Sequence, residues 1–441
     1  MGNMLKLGVA DRLLLVFVLV LFLGVILFCS IFVSDLYLAV AFNAIFIFTI
    51  VFYLMLFLNK GNVGEAKPPK KFPSITIIIP CFNSKNTIVE CIESVKRMKY
   101  GKKVNILVVD DCSTDGSREI LEKIKGIELF KLKKNMGRSA AINLAIKRVR
   151  TDFLVTVDSD SYPEDDVLMK TMGYFEDSSI YSVSCLVLPD KRDNLIRKIQ
   201  NLEYAIGFGL ANTLLASIDS SYVVPGPFTV FRKEVFERIG YYEEGNFAED
   251  MEFGLRMKAN SMRLANCHVA LVRTDIPGNL GGLFIQRNRW YRGGAFNFMR
   301  YKKLMFNSKN PNFGLFMMPF LFVSQVMIVA VLLRMLLFFL HDAYVFLSVL
   351  FDYVSLGGNL FVGDYSITAS SALVFFIVSY LLISIYFYVC LSQVKYRLKL
   401  DDILPLAILI LIYPYFITVT YSQSYFKEIF GVDEKWRRVS T

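Results

Sequence analysis

"SITIIIPCFN" occupies Ser74–Asn83. A β-branched apolar run that stops at a proline is the signature of a short, buried strand. A second such run, "VNILVVDDCSTDGS" at Val104–Ser117, ends in two aspartates and a cluster of turn-forming residues. Between them, Ser84–Met98 spaces its apolar residues with a helical period. Strand, helix and strand at this length predict a βαβ unit and a parallel sheet, because parallel neighbours need a long crossover. The pattern then continues: "NMGRSAAINLAIKRV" opens as a helix after Gly137 and leads into "DFLVTVDSDSYP" (Asp152–Pro163), a strand ending in Asp158 and Asp160. The predicted fold class is α/β, a parallel sheet with helices packed on it, in a domain embedded between transmembrane α-helices.

In open parallel sheets, ligands bind beyond the carboxyl ends of the strands, where these acids fall. Asp, Ser and Gly also form turns for purely local reasons, and "VDDCSTDG" alone reads equally well that way. Asp158 and Asp160 tip the reading toward a site. Two carboxylates two residues apart, at a strand end where the chain turns, can reach one hard cation from one side. Such an all-oxygen arrangement suits Mg2+ or Mn2+ shared with a diphosphate. Neither a GxGxxG nor a GxxxxGK stretch occurs, so the usual phosphate cradles are missing and a metal must carry the phosphates. Further along, "NFAEDMEFGLRMKA" (Asn246–Ala259) sets Glu249 and Asp250 at the start of an amphipathic helix. Acids there favour the helix dipole. The functional alternative makes one of them, Asp250 by preference, a general base that takes a proton from an attacking hydroxyl.

The flanks are of another kind. Hydrophobic residues make up 54% of the 441 and charged residues 20%, a combination that places greasy and water-facing blocks in one chain. Residues 1–59 predict a transmembrane hairpin with spans at 13–33 and 36–58. The first block is longer than the apolar core of a signal peptide and no cleavage site is clear, so it is expected to stay attached. Residues 60–72 form a Gly/Pro/Lys-rich linker, 73–294 the catalytic-looking domain, and 295–312 an interfacial segment. Residues 313–425 carry further spans at 313–340, 371–391 and 403–421, with 342–356 an extra span or an interfacial helix, and 426–441 form a basic tail. Lys6 and Arg12 before the first block, and Lys60, Lys67, Lys70 and Lys71 after the second, put the N-terminus and central domain on the cytoplasmic side of a multi-pass plasma-membrane protein. The net charge of +10 gathers beside the apolar blocks, which points to membrane lipids and away from nucleic acid. Seven cysteines without CxxC spacing, and only His268 and His341, leave no Cys- or His-based metal site in view.

"QRNRWYRGG" (Gln286–Gly294) stands where the chain turns greasy again. A lipid-gripping segment needs positive charge but no fixed Gln-to-Trp spacing. Taken in order, "TIIIPCFN", "VVDDCSTDG", "NMGRSAAIN", "VDSDS", "PGPFTVFR", "AED" and "QRNRW" resemble the inverting family 2 glycosyltransferases of the membrane-bound polysaccharide synthase type. That group includes poly-N-acetylglucosamine, hyaluronan, chitin and cellulose synthases. The resemblance runs from about Ile75 to Gly294. "IQNLEY" (Ile199–Tyr204) and the glycines after "QRNRW" are most similar to the poly-N-acetylglucosamine and hyaluronan branches. It implies a GT-A fold (a Rossmann-like mixed sheet with helices on both faces), a UDP-sugar donor and a glycan or lipid-linked acceptor.

Residue by residue, the resemblance implies that Pro80, Asn83, Asp110 and Asp111 lie at the nucleotide, with Asp111 bonding the uracil and Arg138 and Asp158 also in contact. Asp158 and Asp160 match its DxD metal motif for Mg2+ or Mn2+. Asp250, with Glu249 beside it, matches the catalytic base of its TED motif. Gln286, Arg289 and Trp290 match QxxRW and would serve diphosphate and acceptor, together with Gly226 and Pro227. This chain departs from the pattern with Arg138 where lysine is more frequent and Ala248 in place of threonine, and it has no FxVTxK gating loop.

The expected activity is a metal-dependent, inverting hexosyl transfer from a UDP-sugar to a growing β-linked polysaccharide, processive and exported through the enzyme's own spans. Single transfer to a polyprenyl-phosphate or glycolipid is the alternative within enzymes. A nucleotide-sugar-binding membrane sensor is the alternative outside them. A sensor has no need of Asp158, Asp160, Asp250 and Arg289 together, since a metal site, a base and a phosphate-reading guanidinium are the parts of a displacement reaction. The sequence sets no oligomeric state.

Overall fold

The computed structural model describes residues 5–32, 47, 48, 50–58, 66–325, 371–394 and 396–432, with isolated positions between 329 and 355. Its centre is an eight-stranded sheet in the order β3-β2-β1-β4-β7-β6-β8-β5. The strands are β1 Ile75–Cys81, β2 Asn105–Asp110, β3 Glu128–Lys131, β4 Phe153–Thr156, β5 Ser161–Pro163, β6 Ile180–Pro189, β7 Thr229–Arg232 and β8 Arg263–Thr274. β1 lies parallel to β2 and to β4, with Ile77 opposite Ile106 on one side and Val155 on the other. β7 runs antiparallel to both β4 and β6, which makes the sheet mixed.

The isoleucine run of β1 is continuous because both faces of the strand are covered. Ile75, Ile77 and Ile79 pack with Ile88, Cys91, Ile92 and Val95 of the helix Ile88–Arg97. On the opposite face Ile78 joins Leu107 and Val109, and meets Ala141, Ile142 and Ala145 of the helix Arg138–Ile146 and Phe253 and Met257 of the helix Glu249–Ala259. Each fully buried side chain of this size contributes about 1.5–3 kcal/mol. The strand order reverses direction at β1, with β2 on one side and β4 on the other, so a crevice opens at the carboxyl ends of β1 and β4.

Beyond the sheet, the helix Leu195–Tyr204 continues into a π-helical turn, Ala205–Ala211. The helix Leu280–Arg300 runs straight through residue 294, the expected edge of the catalytic domain. It packs along the helix Tyr413–Phe430, with the rings of Tyr291 and Tyr421 4.8 Å apart and Asn288 donating to Ser424.

The expected multi-pass placement in the plasma membrane is corrected. Among the described residues no single helix is long and apolar enough to cross a membrane. The stretch 13–33 falls largely in the helix Val9–Phe32, whose Leu15 and Leu19 are buried against Ala295, Phe296 and Met299 of the helix Leu280–Arg300. The stretch 403–421 is two helices, Ile403–Leu411 and Tyr413–Phe430. Only as a pair, bent by 46° and starting at Leu400, do they meet the length and composition of a span. Pro414 sits in the first turn of the second helix, where its missing N–H breaks the ladder and its fixed φ starts a new one. The described parts of 313–340 and 371–391 include the shorter apolar helices Asn312–Gln325 and Leu381–Gln393. Most of the expected span at 36–58, the rest of 313–340 and most of 342–356 lie outside the described residues.

Candidate active site

Three loops meet at the carboxyl ends of β1, β2 and β4. After β1 the chain turns through Asn83, whose positive φ of 51° an asparagine tolerates well. Asn83 N–H donates to Ser113 Oγ at 3.0 Å and its Oδ1 accepts from Thr114 N at 2.8 Å, tying the first loop to the second. Ser84 and Ser159 hydroxyls lie 2.7 Å apart, tying the first loop to the Asp158–Asp160 segment. Pro80 is buried within β1 opposite Val109.

The two aspartates that follow β2 take different surroundings. Asp110 is completely buried and accepts from Arg118 Nε at 2.5 Å and from Ser113 N at 3.2 Å. A direct nucleotide contact by Asp110 would have to displace Arg118. Asp111 accepts from Met136 N at 2.7 Å and Gly137 N at 2.8 Å, and so fixes the entry to the helix Arg138–Ile146. Burial pushes its carboxyl up, while the two N–H groups hold it back.

Arg138 is the centre of the site. Its Nε and Nη2 reach Asp158 Oδ1 at 2.8 and 2.6 Å, and its Nη1 reaches Glu249 Oε1 at 2.8 Å. Burial opposes the guanidinium charge, but the two carboxylates outweigh it and raise its pKa further. A lysine offers one nitrogen where this guanidinium offers a fork that serves two carboxylates at once. Gly226 stands directly over this pair: a Cβ there would come within 2.6 Å of Asp158 Oδ2 and 2.7 Å of Arg138 Nη2. Pro227 follows in the same loop, ahead of β7.

Glu249 and Asp250 open the helix Glu249–Ala259. Burial pushes the Asp250 carboxyl up to about 6 and the Glu249 charge adds to the rise, while the guanidiniums of Arg289 and Arg138 hold it back. A carboxylate titrating near neutrality can accept a proton and release it again. Arg289 comes from the helix Leu280–Arg300 and its Nη1 donates to Phe247 O at 3.5 Å. One helix turn away on that face, Gln286 accepts from Arg287 Nη1 at 2.6 Å. Trp290 packs against the rings of Tyr204 and Phe208 at 6.2 and 6.4 Å, with the Arg287 guanidinium 4.2 Å from its own ring centre.

Asp158 and Asp160 are hard oxygen donors of the kind a divalent cation takes; Asp158 Oδ1 is bonded by Arg138, and its Oδ2 faces Gly226. The Asp160 backbone is pinned by Asp275 N at 3.0 Å. Among the described residues no group of three or more His, Cys, Asp or Glu gathers to form a closed site. Mg2+ or Mn2+ held here would therefore depend on phosphate and water oxygens for the rest of its shell.

Sequence reasoning gave no role to four residues that organise these parts: Glu203, Arg287, Gly293 and Asn297. Arg287 is fully buried and donates to Glu203 Oε2 at 2.6 Å, and Tyr413 Oη donates to the same oxygen at 2.9 Å. Glu203 lies in "IQNLEY" and Arg287 and Gly293 lie in "QRNRWYRGG", so the signal was in the quoted motifs without an assigned use.

Comparison with known proteins places this geometry in context. Residues 76–240 match the family described as Glycosyl transferase family 2. The chain is 29% identical over 227 residues to a poly-beta-1,6-N-acetyl-D-glucosamine synthase of Staphylococcus aureus, covering 50% of this chain and 54% of that protein. It is 26% identical over 224 residues to the protein of the same name from Staphylococcus epidermidis. The chain thus spans about half the length of these curated relatives. Among solved structures, a mannosyltransferase from Pyrobaculum calidifontis, in complex with GDP-Man and Mn2+, shares the fold with a TM-score of 0.56 at 16% identity, covering 90% of this chain and 99% of that one. The sheet and its helices are GT-A-like, and the family 2 match covers Arg138, Asp158, Asp160 and Gly226, while Glu249, Asp250 and the helix Leu280–Arg300 lie beyond the matched residues.

Proposed function

We propose, from a family 2 glycosyltransferase domain as premise, that this enzyme moves a hexosyl group from a UDP-sugar to the hydroxyl of a growing β-linked glycan, with inversion. The acceptor oxygen attacks the anomeric carbon as the bond from that carbon to the diphosphate breaks, and Asp250 takes the hydroxyl proton. The electron pair leaves with UDP. Asp158 and Asp160 would hold Mg2+ or Mn2+, which supplies charge neutralisation for the departing diphosphate. Arg289 would meet the same phosphates through its fork. Trp290, held at an angle by the rings of Tyr204 and Phe208, would offer a flat face for the acceptor sugar. Asn83 and Asp111 would line the nucleotide end.

The observation that carries this reading is the bridge through Arg138. One guanidinium touches Asp158 on the donor side at 2.6 Å and Glu249, neighbour of the base, at 2.8 Å. Base and leaving-group machinery thus lie within a single side chain's reach, as a displacement at one carbon requires. The names of the staphylococcal relatives make UDP-N-acetylglucosamine the first donor to try.

The test is incubation of the full chain with a panel of radiolabelled UDP-sugars and Mn2+ or Mg2+, with and without polyprenyl phosphate, followed by product sizing. A ladder of sugars from one donor is the expected result. A single sugar on the lipid would move the enzyme to single transfer, and donor binding without turnover would make it a sensor.

A further inference from the structure

Helices are commonly capped by a polar side chain at the N-cap, yet the helix Glu249–Ala259 has Ala248 there, which offers no side-chain cap. Its start is held from outside. Arg289, Gly293 and Asn297 lie four residues apart on the helix Leu280–Arg300, a spacing that keeps them on one face. Each meets the segment 246–248 in turn. Arg289 Nη1 donates to Phe247 O at 3.5 Å. Gly293 lies against Ala248 so closely that a Cβ at 293 would sit 2.5 Å from Ala248 Cβ and 2.8 Å from Ala248 N. Asn297, completely buried, donates from Nδ2 to Ala248 O at 3.0 Å and to Asn246 Oδ1 at 3.2 Å, and accepts from Asn246 Nδ2 at 2.8 Å. Asn246 Oδ1 in turn accepts from Ala248 N at 3.0 Å, so the same pair of amides holds the residue at the helix start on both its N–H and its C=O.

We infer that Gly293 and Asn297 are positioning residues for Asp250: they fix the helix start two residues before it, at a distance set by the absence of a side chain at 293 and the two-sided amide at 297. This rests on the reading of Asp250 as base. It goes beyond that reading in giving the second half of "QRNRWYRGG" and the residue just after it a catalytic purpose without contact to substrate. Reacting groups must be placed to within a fraction of an ångström, and a shift of about 1 Å at a distance from the chemistry can lower turnover about 100-fold. On the proposed reading the nucleotide is held by the loops after β1, β2 and β4, which include neither Gly293 nor Asn297.

The test compares the parent with Gly293→Ala, Asn297→Leu and Asp250→Asn as full chains. Turnover is read with UDP-N-acetylglucosamine, or whichever UDP-sugar the donor panel selects, and Mn2+. UDP affinity is read by calorimetry with Mn2+, and folding by thermal melting. For Gly293→Ala and Asn297→Leu the expected result is kcat lower by about 10- to 100-fold with UDP affinity unchanged within about twofold and a folded protein. Gly293→Ala adds a better helix former, so its local propensity favours folding. A parent-like kcat in the two variants, an equal fall in UDP affinity, or loss of the folded state in both would each overturn the inference. Asp250→Asn separates the layers: if it keeps parent turnover, the reading of the base fails, and if it alone loses turnover, only the positioning role fails.

Discussion

At the residue scale, function here depends on which charges face one another. Asp250 titrates near 6 because burial and Glu249 raise it more than Arg289 and Arg138 lower it. A general base must be deprotonated to act, so kcat/KM is expected to rise with pH across a limb near 6 and to be flat above it. Glu249→Gln removes a like charge and should move that limb to lower pH, measured as a pH–rate profile with saturating metal. A limb that stays in place or moves upward would contradict the assigned coupling. The acids at strand ends were legible in the sequence because Asp158 and Asp160 follow a β-branched run and Asp250 opens a periodic helix. The partners of Arg138 were not: Asp158 and Glu249 lie 20 and 111 residues away along the chain, and only the fold brings them together.

At the element scale, the pair of fully buried Arg287 and partly exposed Glu203 joins three helices, since Tyr413 bonds the same carboxylate. Arg287 is completely buried and also stacks on Trp290. Glu203→Leu leaves that charge without its counter-ion and should destabilise the protein by roughly 3–5 kcal/mol. The double variant Glu203→Met with Arg287→Met removes both charges and should recover most of the loss, read as denaturant midpoints. Equal midpoints for Glu203→Leu and parent would show that the pair is not structural. Reading the elements from sequence succeeded where apolar period and turn residues agreed, as in β1, the helix Ile88–Arg97 and β2. It missed β6, whose serines at 182 and 184 interrupt the apolar pattern and whose partner β8 begins at residue 263, joined with register shifts. Such pairing across distant sequence leaves no local period to read.

At the scale of the whole molecule, both ends of the described chain converge on the segment that precedes the base. Leu5 N–H donates to Gly245 O at 3.1 Å, and Arg292, ion-paired with Glu428, lies over the Phe247 ring at 4.6 Å. The apolar blocks that read as spans are used here in part for packing: Leu15 and Leu19 bury against the helix Leu280–Arg300, and Pro414 divides the last block in two. Hydropathy alone does not separate a helix that packs on protein from one that packs on lipid; in the helix Val9–Phe32, Leu15 and Leu19 are buried while Leu13, Phe17 and Val20 are exposed. The central claim is that one acid in this assembly activates the acceptor while other residues hold the donor. It is tested most directly by the initial rate of sugar transfer for Asp250→Asn against the parent, with UDP affinity measured on the same preparations. The account predicts a rate lower by about 100- to 10,000-fold with UDP affinity unchanged. A rate close to that of the parent would contradict it.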